Sequence, residues 1–160
     1  MTLIKKIWKK LVHKIFLQQL TQAFKEIPFN KMLGLRLDEI NSEIAILTFD
    51  MQDHLIGNFV HGILHGGVIS SVIDMAGGMV AMGAGVHKNI DLPILQLKKM
   101  ISRTSTIDLQ ISYLNPGRGT TFTATAFLIK SGNHITFTRT ELKNQDDVLI
   151  ATGTATYLLK

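Results

Sequence analysis

Residues 68–86 read VISSVIDMAGGMVAMGAGV, a stretch of membrane-like length with a single charge, Asp74. A transmembrane reading would put that carboxylate at mid-bilayer, at a cost of about 3 kcal/mol or more. Four glycines and two serines dilute the apolar content further. A helix fully buried in an α+β core explains the same composition without the penalty. Downstream, residues 106–114 alternate: Ile107, Leu109, Ile111 and Tyr113 on one face, Thr106, Asp108, Gln110 and Ser112 on the other. That is the pattern of a half-buried strand. Asn115-Pro116-Gly117 is a turn signal. TTFTATAFLIK, HITFTRTELK and VLIATGTATYLL then supply three more strands, joined by short turns at Ser131-Gly132-Asn133 and at NQDD. Upstream, Pro28 and Gly34 break the chain before an extended segment, EIAILTFDM at 43–51 reads as a strand, and 52–66 reads as loop. The order predicts strands, one long buried helix, then four strands in a meander, the antiparallel sheet wrapping the helix.

At 160 residues the chain is one domain, or one domain with an arm. Such a chain buries roughly 70% of its unfolded surface, so a real core is available. With 46% apolar and 18% charged residues it is not disordered. The lack of cysteine excludes disulfide scaffolds, thiolate metal sites and cysteine nucleophiles. The net charge of +5 is unevenly spread. Six of the 17 basic residues (Lys5, Lys6, Lys9, Lys10, Lys14 and Lys25) fall in the first 25 positions with no acid, leaving 11 against 12 acids. That arm reads MTLIKKIWKKLVHKIF, with apolar pairs at Leu3/Ile4, Ile7/Trp8, Leu11/Val12 and Ile15/Phe16. A four-residue repeat stays on one side of a helix, so the arm is a basic amphipathic helix. Two readings stay open: residues 3–16 lie on an anionic lipid surface, or their apolar stripe packs on the body or a partner subunit. No uninterrupted apolar run or small-residue cleavage site follows the lysines, so a signal peptide is not expected. The organisation expected is an arm over 1–27 and a domain over 28–160.

Chemistry concentrates in GNFVHGILHGGVISSVIDMAGG, residues 57–78. His65-Gly66-Gly67 precedes the long helix, so glycine amides are expected bare at a helix N-terminus, where N–H groups and the dipole attract oxygen of developing negative charge. Seven residues after Gly67, on the same face, stands Asp74. An acid in an apolar stripe needs a reason, since burying an unpaired carboxylate is costly. Either it does general-base or nucleophilic work, or it is a structural aspartate satisfied by serine or backbone groups. His54, His61 and His65 share one loop, but their spacings fit no helix-borne zinc pattern and no acid completes a ligand set, so no metal is expected. Met75, Met79 and Met82 are core filling or the soft wall of an acyl tunnel.

HGGVISSVIDMAGG resembles the HGG-x(6)-D-x-x-G signature of hotdog-fold acyl-CoA thioesterases, in the branch that includes phenylacetate-degradation-type enzymes. TIDLQISYLNPGRG is similar to the strand and turn of that family, and IATGTATYLL to its last strand, so the resemblance covers roughly residues 28–160. It implies a sheet around a central helix, and homodimers or homotetramers (dimers of dimers) with sites at a subunit boundary. It also implies an acyl-CoA substrate, no cofactor and a cytoplasmic enzyme; residues 1–30 are too short for a helix-turn-helix DNA reader, so no nucleic acid is expected. By resemblance, Asp74 is the catalytic carboxylate and the Gly67 amide, with Gly66 beside it, polarises the thioester carbonyl. Asn58 helps at that oxygen, standing seven residues before His65 where some members have six. Thr106 helps hold the attacking water, and Asn115 and Arg118 meet the nucleotide part of coenzyme A; His65, read from its place in the loop and not from the resemblance, hydrogen-bonds to fix that loop. A guanidinium is chemically suited to phosphate. The arm tilts the expected substrate toward medium or long chains. The alternatives are a non-catalytic acyl-CoA-binding or regulatory hotdog domain, which retention of Asp74 disfavours, and a hydratase on the same fold.

Overall fold

A computed structural model describes the backbone of residues 3–160 and, within the first helix, the side chains of residues 11, 12 and 14–26. Trp8 and the four lysines from Lys5 to Lys10 therefore have side chains outside the described residues. In chain order the elements are α1 (Leu3–Glu26), α2 (Pro28–Leu33), β1 (Arg36–Ile40), β2 (Ile44–Asp50), a single 3-10 turn (Asp53–Leu55), β3 (Ile56–Asn58), β4 (Ile63–Leu64), α3 (Gly66–Lys88), α4 (Ile94–Ser102), β5 (Ser105–Tyr113), β6 (Thr121–Ser131), β7 (Ile135–Asn144) and β8 (Leu149–Leu158).

Six strands form one antiparallel sheet in the order β1-β2-β6-β7-β8-β5, and β3 with β4 forms a small separate hairpin. The sheet curls around α3, whose Ile69, Val72, Ile73, Ala76, Val80 and Ala84 are all buried. This is the α+β hotdog arrangement that the resemblance implied. Among the described residues α3 is the one helix long and apolar enough to cross a membrane, and 61% of its apolar window is buried inside the protein. A spanning helix would show that surface to lipid, so α3 is the core helix expected from its glycines and its aspartate.

Close packing explains why the helix-facing side of β7 carries threonines. Thr136, Thr138 and Thr140 are buried, whereas Phe137 and Arg139 between them face out. A Cβ on Gly77 would stand 2.5 Å from the Tyr157 hydroxyl and 2.9 Å from Thr138 Oγ1, so only glycine lets the helix approach here.

Four expectations need correction. The last four strands are not a meander: β5 pairs with β8 at a sheet edge, and only β6-β7-β8 are consecutive neighbours. The segment after Asn115-Pro116-Gly117 is thus a crossing connection instead of a hairpin, anchored where Leu64 N–H donates to Gly117 O at 3.0 Å. The alternation of residues 106–114 also breaks. The register slips between Thr106 and Asp108, Thr106 pairs with Tyr157, and Ile107 turns out to solvent at 56% exposure. Pro28 begins a helix instead of breaking one, because proline lacks only an N–H that a first helical turn leaves unused. Helix α4 is an element that the strand pattern did not announce.

The arm is a continuous helix whose second half joins the body. Phe24 belongs to the main core with Leu33 and Leu35, and Phe16 packs with Val86 and Leu97. Asn30 Nδ2 donates to Phe24 O at 2.9 Å, tying α2 back to α1. Farther up, Leu11 and Ile15 stay exposed.

Candidate active site

Thr106 and Tyr157 are partners across the β5–β8 ladder, so their side chains emerge on one face. Without the bulge at Ile107, Thr106 would share the outward face of Asp108 and Gln110; the extra residue turns it inward, as bulges do near functional positions. Both hydroxyls converge on one carboxylate oxygen of α3. Thr106 Oγ1 donates to Asp74 Oδ1 at 2.9 Å. The Tyr157 hydroxyl lies 3.1 Å from the same oxygen and 2.7 Å from Asp74 O, which share its single proton. Asp74 Oδ2 has no partner among the described residues, so one oxygen is held and the other is available. Burial, followed by the nearby Asp74 charge, pushes the Tyr157 phenol above its ordinary range, so it stays a donor. Tyr157 is 2% exposed and its role was missed from sequence. The available signal was an isolated tyrosine on the inward phase of the last strand, where a buried hydroxyl needs a partner.

Asp74, Thr106 and Tyr157 open onto an apolar cleft of about 310 Å³. Met75, Met79 and Met82 of α3 form one wall, and Leu20, Ala23 and Phe24 of α1 form the other. The methionines are therefore the soft wall of a cavity, and the arm contributes to it.

The start of α3 is arranged differently from expectation. His65 is the N-cap, and its Nδ1 accepts from the Gly67 N–H at 2.9 Å. The Gly67 amide is thus already engaged instead of bare, because a ring nitrogen in cap position satisfies it. The Gly66 amide has no partner among the described residues, and Gly66 borders a cleft of about 380 Å³ with Tyr113, Asn115 and Gly117. Tyr113 hydroxyl donates to Gly66 O at 3.2 Å, closing that side.

The remaining site candidates gather at the same end. Asn58 is exposed, and its Oδ1 accepts from Val60 and His61 N–H at 3.1 and 3.2 Å, folding the 58–62 turn. Arg118 Nη1 donates to His61 O at 3.0 Å, bracing that turn. Asn115 Nδ2 donates to Leu149 O at 2.9 Å. Gly66 and Asn115 therefore line one groove, Asn58 and Arg118 hold the 58–62 turn, and Asp74 and Thr106 lie with Tyr157 in a separate cleft. No group of three or more His, Asp or Glu side chains able to hold a metal occurs among the described residues.

A half-buried acid, held by two hydroxyls beside its own apolar cleft on the helix of a wrapped sheet, is the design of a hotdog-fold enzyme. The chain belongs to the thioesterase superfamily, whose family model matches residues 61–151. It is 41% identical over 150 residues to the medium/long-chain acyl-CoA thioesterase YigI of Salmonella typhimurium, covering 94% of this chain and 92% of that one. Identity to the Escherichia coli protein of the same name is 40%, with the same coverage. Among solved structures, a Shewanella oneidensis protein related to the thioesterase superfamily superposes with a TM-score of 0.90 at 35% identity, covering 93% of this chain and 98% of that one.

Proposed function

We propose that this chain hydrolyses medium- or long-chain acyl-CoA to free acid and coenzyme A, as a member of the phenylacetate-degradation-type branch. The observation that carries the reading is the Asp74 carboxylate, pinned through Oδ1 by Thr106 and Tyr157 with Oδ2 left for a water, at the mouth of an apolar cleft. Asp74 takes a proton from that water as it adds to the thioester carbonyl. The oxygen that gains charge is stabilised by the amide at the start of α3, and the thiolate of coenzyme A leaves as the carbonyl reforms. The Gly67 N–H being used by His65, the donor assigned here is Gly66, with Asn58 of the 58–62 turn as its helper by resemblance. Asn115 borders the same groove, and Arg118 follows in the same turn, bonded to His61 O; the phosphates of coenzyme A would lie along this turn.

One chain cannot complete this site. Gly66 and Asp74 are eight residues apart on a straight helix, about 12 Å along its axis, far beyond the reach of one carbonyl and its water. Two antiparallel copies would set each Asp74 near the other's Gly66. The free edge of β5 supports this pairing, because Ile107, Tyr113 and Leu114 stay more than half exposed beside it. The enzyme is thus a homodimer or a dimer of dimers. It works in the cytoplasm, and the lysine-rich end of α1, where Leu11 and Ile15 are exposed, rests on the inner face of the membrane.

The test is Asp74→Asn, which keeps the volume and removes the basicity. Thiol release from the best acyl-CoA should fall by about a thousandfold or more with the fold retained. Retained release within a few-fold would make Asp74 structural. Tight acyl-CoA binding without release by the wild-type protein would make the chain a binder.

A further inference from the structure

Beside the catalytic cleft lies a second apolar groove, of about 410 Å³, between α1 and α4. Three residues, Leu20, Ala23 and Ile101, line both cavities, so the two meet edge to edge. Phe16 adds apolar surface to the second groove, while Gln19, Lys98 and Ser102 give it a polar rim. From the structure we infer that the α1–α4 groove is a distal subsite for the far end of a long acyl chain, entered past Ala23. The inference rests on the acyl-CoA reading above and extends it to chain length.

Length decides which tails need the groove. The first cleft runs beside α3 from Asp74 to Met82, eight residues and so about 12 Å. An extended backbone advances at most ~3.6 Å per residue of three bonds, or about 1.2 Å per bond. A straight alkyl chain therefore uses up the first cleft after about ten carbons. An octanoyl tail ends inside it. A palmitoyl tail must turn out into water or continue between α1 and α4. The apolar floor favours the second course, since each methylene kept from water is worth about fourfold in binding. Ala23, at the junction, is the smallest of the three shared residues, and its lack of bulk keeps the passage open. The occupant fits the chemistry of the wall, which offers no charged partner except Lys98 at the rim.

Ser102→Trp and Gln19→Trp fill the distal groove from its exposed rim, and Ala23→Trp fills the junction. Each variant is compared with wild type by thiol release from octanoyl-CoA and palmitoyl-CoA, with circular dichroism to confirm folding. The palmitoyl-to-octanoyl ratio of kcat/KM should fall about tenfold or more in both rim variants, mainly through KM. Ala23→Trp should lower it at least as far. An unchanged ratio, within twofold in both folded rim variants, overturns the distal subsite while leaving the hydrolase reading intact. Failure of the wild type to release thiol from either substrate defeats the hydrolase reading, and the subsite with it.

Discussion

Tyr157→Phe removes one oxygen atom from the centre of the site and leaves the ring that packs beneath α3. The hydroxyl is buried and bonded to the Asp74 carboxylate and its carbonyl, at 3.1 and 2.7 Å. A hydrogen bond to a charged group contributes about 1.5–3 kcal/mol. Loss of about 2 kcal/mol in a chain of this size should lower Tm by roughly 4–8 °C. The catalytic effect has a different origin. Asp74 would keep Thr106 as its only side-chain donor among the described residues, so its carboxylate could rotate, and misplacement by about 1 Å can cost around a hundredfold. The expected kcat is therefore about ten- to a hundredfold lower with KM nearly unchanged, read by thiol release from one acyl-CoA. Because Tyr157 acts through Asp74, the double variant Asp74→Asn/Tyr157→Phe should be no slower than Asp74→Asn alone. A normal kcat alongside the lowered Tm would reduce Tyr157 to a packing residue. Additive losses in the double variant would refute its action through Asp74.

The two-chain site predicts complementation: Asp74→Asn and Gly66→Leu chains, each inactive alone, should regain activity when refolded together, and no gain in heterodimers confirmed by mass would place the site within one chain. Tyrosinate absorbance should show one of the two tyrosines resisting titration until the protein unfolds. The raised phenol favours the protonated fold, so its contribution is complete below about pH 10 and is lost as pH rises further; early titration of both tyrosines would contradict this. For the arm, Trp8 is the only tryptophan, and its emission should shift blue with anionic vesicles and return with salt. An emission indifferent to vesicles would rule out lipid contact there.

The strands were legible because β2 and the first half of β6 alternate with apolar residues inward. Partner choice was not, since a Pro-Gly turn records that the chain changes direction and says nothing of which edge it joins next. Thr106 illustrates the limit best. Strict alternation puts it on the wrong face, and only the bulge at Ile107 brings it to Asp74. Tyr157 carried only the signal of a buried hydroxyl in need of a partner, and that partner is 83 positions away in sequence. His65 was visible, yet its use as a cap depends on a backbone turn that residue types alone do not define. Helix α4 did carry a signal, with Ile94, Leu97, Met100 and Ile101 on a shared side, but it lies between a helix and a strand with far stronger patterns.

The sheet order also sets a timetable for the growing chain. β5 has β8 as its sole partner in the six-stranded sheet, yet the whole of β6 and β7 must be made between them. At a synthesis rate of about 5–20 residues/s, the interval separating Asp74 from Tyr157 lasts roughly 4–17 s. Throughout it the acid of α3 lacks its phenol, and once β5 is made Ile107, Leu109 and Ile111 lack the strand they will lie beside. A chaperone that recognises extended apolar segments has its widest opening in that interval, and a stalled nascent chain would present β5 as an unpaired edge to its neighbours on the same message.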